Sequence, residues 1–167
     1  MVGRIPGTEL VERIPITKEG YAALKKELER LKSVERPSVI RSIEEARAHG
    51  DLSENAEYDA AKERQGFVEG RIGELGHKIA KADVIDPKTV STESVVFGCT
   101  VVLENLDTEE EVRYQLVGAD ESDAAQGRIS VVSPLGRAMI GKKAGDEIVV
   151  QAPGGKREFE IIDILAS

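Results

Sequence analysis

The chain is poor in the residues that most often announce chemistry. Cys99 is the one cysteine in 167 residues, which excludes an intramolecular disulfide framework and a Cys-rich zinc site. His49 and His77 are the two histidines, too few for an all-histidine metal cage. Tryptophan is absent and aromatics make up 4%, which argues against a sheet that stacks nucleobases. No apolar run approaches the ~20 residues that span a bilayer, so no membrane partner is expected. The N-terminus has neither an apolar leader core nor a small-residue cleavage site, and a cytoplasmic location is expected.

What the chain does contain is ordinary for a folded, water-exposed protein: 40% apolar and 32% charged residues. Its net charge of −8 is unevenly spread. Residues 1–82 carry 15 Lys+Arg and 15 Asp+Glu, whereas residues 83–167 carry 8 and 16. An acidic half joined to a charge-balanced half is not the pattern of a free nucleic-acid binder.

The first half has helical periodicity. Tyr21, Leu24, Leu28 and Leu31 recur at the spacing of one helix face, and Val39, Ile40, Ile43 and Ala46 resume it. Thr17 with Gly20 three residues on is a weak N-cap signature. Pro37 is expected to kink or break the helix, with Arg36 pushed toward extended geometry. Gly50 suits a left-handed terminator. A second helix is predicted from about Ser53 to Lys81, with Val68, Ile72, Leu75 and Ile79 as its stripe. Gly66, Gly70, Gly73 and Gly76 weaken it by up to ~1 kcal/mol each, so packing must hold it. Leu24 with Ile79, Leu28 with Leu75, Leu31 with Ile72 and Ile43 with Ala60 all reflect about one point, between Asp51 and Leu52. That is an antiparallel coiled-coil hairpin with its tip near residues 50–55, and Leu24 lies roughly 40 Å from the tip.

From about Val84 the pattern changes to short β-branched or alternating runs: Phe97–Leu103, Glu111–Val117, Arg128–Val132, Glu147–Gln151 and Glu158–Leu165. Ser133 as N-cap and Pro134 at the first helical position predict one short helix, ended by Gly141. Gly154-Gly155 predicts a hairpin turn. Residues 1–16 read as a loose lead-in and 83–94 as a link. The expected fold class is α+β, with a hairpin domain over residues 1–82 and a small β domain carrying one helix over residues 83–167.

The candidate chemistry sits at the tip, in Gly50-Asp51-Leu52-Ser53-Glu54-Asn55-Ala56-Glu57-Tyr58. Asp51 and Glu54 are three residues apart at a helix start, so their carboxylates can converge. Spacing alone favours a capping box, with Asp51 as N-cap and Glu54 at N3, over a metal site. Position favours delivery: two acids are too few for a complete Mg²⁺ shell, but they can be lent to another protein's metal. Arg41, Arg47, Lys62 and Arg64 flank the tip. They suit a phosphate backbone, but the residues alone favour a solvated face with ion pairs to Glu44, Glu45, Glu57 and Asp59.

The run from Glu45 to Gly70 closely resembles the tip of the bacterial GreA transcript cleavage factors. So do Ile16-Thr17-Lys18-Glu19-Gly20 and Leu31-Lys32 in the lead-in, and Val95-Val96-Phe97-Gly98, Ser130 to Gly141 and Pro153-Gly154-Gly155 further on. The resemblance spans residues 14–166. It implies a coiled-coil hairpin joined to an FKBP-like antiparallel β domain that docks on bacterial RNA polymerase. The hairpin would enter the secondary channel, and the polymerase's own centre would cleave backtracked RNA near its 3′ end. By motif position Asp51 and Glu54 would help hold the second catalytic Mg²⁺, a metal shared with the polymerase. Arg47 and Lys62 would contact RNA, and Ser133, Pro134, Leu135, Gly136 and Arg137 would dock, together with residues 120–123, with core or turn roles as the alternative for both stretches. Ser53 and Asn55 fall in the tip turn, where they could orient the acids. The chain would then be no enzyme itself, and a monomer is expected because the tip must stay free.

Three alternatives stand beside this reading. A freestanding metallohydrolase would need more ligands and a cleft. A prolyl isomerase or peptide-binding module would need an aromatic pocket, for which this half offers too little, only Phe97, Tyr114 and Phe159. A channel-plugging inhibitor would share the fold, but the intact Asp51–Glu54 spacing favours cleavage.

Overall fold

The computed structural model describes residues 12–50 and 55–166; Asp51, Ser53 and Glu54 lie outside the described residues. The chain divides into two compact units. One comprises Tyr21–Ala82, preceded by residues up to Ile14, and the other comprises Pro15–Gly20 with Asp83 onward.

In the first unit a long helical arm, α1 (Lys18–Arg30) and α2 (Arg36–Ala48), returns as α3 (Ala56–Lys81). Pro37 neither breaks the arm nor makes Arg36 extended. Arg36 stays helical at φ −58°, ψ −51°, and a π-turn over Leu31–Glu35 precedes it. The Arg36 N–H donates to Leu31 O, five residues back. This wider turn removes the conflict between the proline ring and the preceding carbonyls, so the helix passes through. Val39, Ile43, Ala61, Val68 and Ile72 form the seam, with Leu28, Leu31 and Tyr58 packed on it. Ala61, not Ala60, is the buried partner near Ile43, and Ile40 is exposed.

Ion pairs cross the seam. Arg36 makes a two-point contact with Glu69 at 2.7 and 2.8 Å, and Arg71 does the same with Glu27 at 2.8 and 3.0 Å. The guanidinium of each arginine holds its partner's carboxyl below the usual carboxylate range. Gly66, Gly70, Gly73 and Gly76 face open space, with no neighbouring atom within 4 Å of where a Cβ would stand.

The second unit begins before the hairpin. Residues 14–17 are not a loose lead-in. They form β1 (Ile14–Thr17), which pairs with β2 (Ala82–Ile85), where the sequence predicted a link. Ile16 and Thr17 are buried. Five further strands form one sheet in the order β5-β4-β3-β7-β6. They are β3 (Thr100–Asn105), β4 (Glu111–Val117), β5 (Arg128–Ser130), β6 (Glu147–Ala152) and β7 (Gly155–Leu165). The sheet is mixed: β4 and β5 run parallel, with Gln115 opposite Arg128, whereas all-antiparallel pairing was expected. Two 3₁₀ turns, Ala119–Glu121 and Ala124–Gln126, supply the return connection that a parallel pair requires. Val101, Leu103, Leu116, Met139, Ile148 and Ile161 form the core with buried Cys99, whose thiol is pushed up by desolvation. The β6–β7 turn is Pro153-Gly154, one residue earlier than predicted. α4 (Pro134–Met139) starts at the predicted Ser133 cap.

α1 starts with a capping arrangement borrowed from far away. The Gly20 N–H donates to Thr17 Oγ1 at 3.0 Å, which makes Thr17 the N-cap. A capping box would place an acid at N3 to accept from the cap's own N–H. Here N3 is Gly20, and the acid is Glu121, 104 residues on: it accepts from Thr17 N at 3.1 Å, from Thr17 Oγ1 and from Gly118 N at 2.9 Å. A Cβ on Gly20 would overlap that carboxylate. Arg128 lies 3.6 Å from the buried Glu121 and supplies the compensating charge.

Candidate functional site

The tip is where α2 and α3 end together. α2 closes as the sequence indicates. The His49 N–H donates to Ala46 O at 3.3 Å, and the Gly50 N–H donates to Arg47 O at 3.2 Å with Gly50 at φ +81°. The start of α3 differs from expectation. Its N-cap is Asn55, whose side-chain oxygen accepts from Tyr58 N at 3.0 Å. The cap that spacing assigned to Asp51 therefore belongs to Asn55, because Tyr58, not Glu54, occupies N3. Glu57 and Asp59 in the first turn complement the positive helix end.

Asn55 does a second thing. Its amide nitrogen donates to Ala46 O at 2.7 Å, across the hairpin on the last turn of α2. Two more contacts join the helix ends. The Arg47 guanidinium lies 6.0 Å from the centroid of the Tyr58 ring, within cation–π range, and His49 Nε2 lies 3.9 Å from Glu57 Oε2. An open depression of about 360 Å³ on this end is lined by Ser42, Glu45, His49, Glu57 and Arg64 together with Ala46, Ala60 and Ala61.

The flanking cations separate into two kinds. Arg64 is engaged by Glu35 at 3.0 Å. Arg47 is exposed and rests on Tyr58, and exposed Lys62 reaches Gln65 at 3.0 Å. Among the described residues no carboxylate pairs with Arg47 or Lys62, so the ion pairs expected with Glu44, Glu45 and Asp59 are not what orders them. The acids Asp51 and Glu54 lie outside the described residues, and among the described residues no three His, Cys, Asp or Glu side chains converge as a metal site.

In the second unit the stretch 133–137 has divided duties. Ser133 Oγ accepts from Gly136 N at 3.1 Å and donates to Ser130 O at 2.6 Å, so it is a cap. Gly136 is a packing position, since a Cβ there would strike the Ser130 and Val131 backbone. Leu135 packs on the core. Pro134 and Arg137 are exposed. Ser133, Pro134 and Leu135 edge an open groove of about 390 Å³ whose far side is Val150, Gln151, Ala152 and Pro153. Of residues 120–123, Glu121 is committed to Thr17 and Gly118.

Family profiles match the sequence of both units. Residues 14–84 match the profile described as "Transcription elongation factor, N-terminal", and residues 90–166 match "Transcription elongation factor, GreA/GreB, C-term". Transcription elongation factor GreA of Neisseria meningitidis serogroup A is 59% identical over 155 residues, covering 92% of this chain and 98% of that protein. The protein of the same name from Hyphomonas neptunium is also 59% identical over 155 residues, 93% of this chain and 99% of its own. Among solved structures, GreA factor homolog 1 of Thermus thermophilus aligns at 27% identity and a TM-score of 0.43, covering 92% and 99% of the two chains. With two family profiles covering most of its length and relatives of this identity, the chain belongs to the GreA/GreB transcription elongation factor family.

Proposed function

We propose that this protein is a transcription elongation factor that binds bacterial RNA polymerase and stimulates the polymerase's own hydrolysis of backtracked RNA, without being an enzyme itself. The hairpin enters the secondary channel and brings Asp51 and Glu54 to the catalytic centre. The observation that carries the reading is the cap of α3. With Asn55 accepting from Tyr58 N, the N-cap role that competed with metal donation for Asp51 is filled by another residue.

Each part of the chain has a stated task. Asp51 and Glu54 are hard oxygen donors, the type Mg²⁺ prefers, and two of them fit a site completed by the polymerase and by RNA phosphate. The ion supplies polarisation of the phosphodiester and a more acidic water. Arg47 and Lys62, exposed and without carboxylate partners among the described residues, hold the RNA backbone near its 3′ end. In the second unit Pro134 and Arg137, both exposed, dock on the polymerase. The factor acts as a monomer in the cytoplasm.

Stalled, backtracked elongation complexes test the reading. Asp51→Asn and Glu54→Gln are expected to reduce stimulated cleavage by about 100-fold, the scale of losing a group that stabilises developing charge, while binding to polymerase is retained. Full stimulation by Asp51→Asn would overturn the metal role. RNA and Mg²⁺ without polymerase should give no cleavage; hydrolysis there would favour a freestanding nuclease.

A further inference from the structure

Asn55 is the one described side chain that hydrogen-bonds both helix ends at the tip. Its oxygen accepts from Tyr58 N at 3.0 Å in the first turn of α3, and its nitrogen donates to Ala46 O at 2.7 Å in the last turn of α2. The two partners fix the amide's orientation, since an N–H must face the oxygen and a carbonyl must face the NH₂. Ala46 O also accepts from the His49 N–H at 3.3 Å, and the Asn55 amide gives this helix-end carbonyl a second, shorter donor. The contact is part-buried, where a hydrogen bond is less exposed to competition from water.

We propose that Asn55 is a positioning residue for transcript cleavage: it clasps α2 to α3 and so sets the separation and direction of the two chain ends from which residues 51–54 depart. This rests on the metal-donating reading of Asp51 and Glu54. Capping alone does not require asparagine, because aspartate and serine cap about equally well. Only the cross-hairpin donation does. Aspartate would set a carboxylate oxygen against Ala46 O, and serine's hydroxyl lacks the second, branched donor. The Arg47–Tyr58 and His49–Glu57 contacts close the same helix ends, so removing the clasp loosens the tip without unfolding it.

The discriminating variants keep the cap and lose the clasp. Asn55→Ser and Asn55→Asp are compared with wild type and Asp51→Asn on backtracked complexes at saturating factor, over a Mg²⁺ titration. Polymerase binding and helical circular dichroism are followed in parallel. The expected result for both Asn55 variants is a roughly three- to ten-fold loss of stimulated cleavage, the rate equivalent of one hydrogen bond. The Mg²⁺ concentration for half-maximal stimulation should rise, excess Mg²⁺ should partly rescue, and binding and helicity should be unchanged. Full stimulation at an unchanged Mg²⁺ requirement, with Asp51→Asn defective, overturns the clasp and leaves the metal reading standing. A loss that follows weakened binding or lost helicity also overturns it. Full activity of Asp51→Asn overturns the metal reading and the clasp with it.

Discussion

Glu121 illustrates how a buried charge is made tolerable one donor at a time. Its carboxylate meets two backbone N–H groups and a hydroxyl, with Arg128 3.6 Å away. Thr17 Oγ1 already accepts from Gly20 N, so its one proton is available for Glu121. A group that only accepts is therefore surrounded by donors. Glu121→Gln keeps the shape but turns one oxygen into an NH₂ that must face a donor. The expected cost is about 1–3 kcal/mol, the scale of leaving a buried polar group unsatisfied. Amide hydrogen exchange in β3, whose core positions report the stability of this unit, measures it. Protection equal to wild type would mean that the carboxylate contributes nothing beyond its shape. Reading residues 120–123 as docking contacts or as core or turn positions does not identify the partner, which lies across the chain at Thr17. The glycine at position 20 was the visible trace: a cap signature lacking its N3 acid, with the acid supplied from elsewhere.

Among the elements, the hairpin was the most legible, because a 3.6-residue apolar period with a single fold-back point has few other solutions. Of the kink or break expected at Pro37, the break did not occur, since a local wide turn satisfies the backbone in a way no side-chain pattern announces. β1 and β2 are four residues each and pair across the whole hairpin, and strands that short carry too little alternation to register. The parallel β4–β5 pair is a matter of connection, not of strand composition. At the tip two cap frames fit the same residues, and geometry chose Asn55 over Asp51. The α3 glycines were read as a weakness that packing offsets, and their positions sharpen that statement. Gly70 and Gly73 are exposed, with no atom near a Cβ. Gly70→Ala and Gly73→Ala should each stabilise the hairpin by about 0.5–1 kcal/mol through backbone entropy, read as a raised midpoint in urea unfolding followed by helical circular dichroism. A lowered midpoint would reveal a steric constraint absent from the described geometry.

At the scale of the whole chain, the division into units does not coincide with a single cut in sequence. Residues 15–20 belong with the unit that resumes at Asp83, so a fragment comprising residues 83–167 lacks both the strand that pairs with β2 and the Thr17 donors to Glu121. The fragment should show weaker protection of β3 amides than the intact chain, by the scale of one or two unsatisfied buried groups, about 1–5 kcal/mol. Reduced protection alone would not identify the cause, because the truncation also removes apolar contact at Ile16. A thermodynamic cycle does. In the intact chain Glu121→Gln breaks contacts with Thr17, whereas in the fragment those contacts are already gone, so the same substitution should cost distinctly less there. Equal costs in both backgrounds would mean that Glu121 and the segment before the hairpin act independently. A smaller cost in the fragment would mean that the start of α1 is built by the second unit, with Glu121 serving as the acid that its capping box lacks.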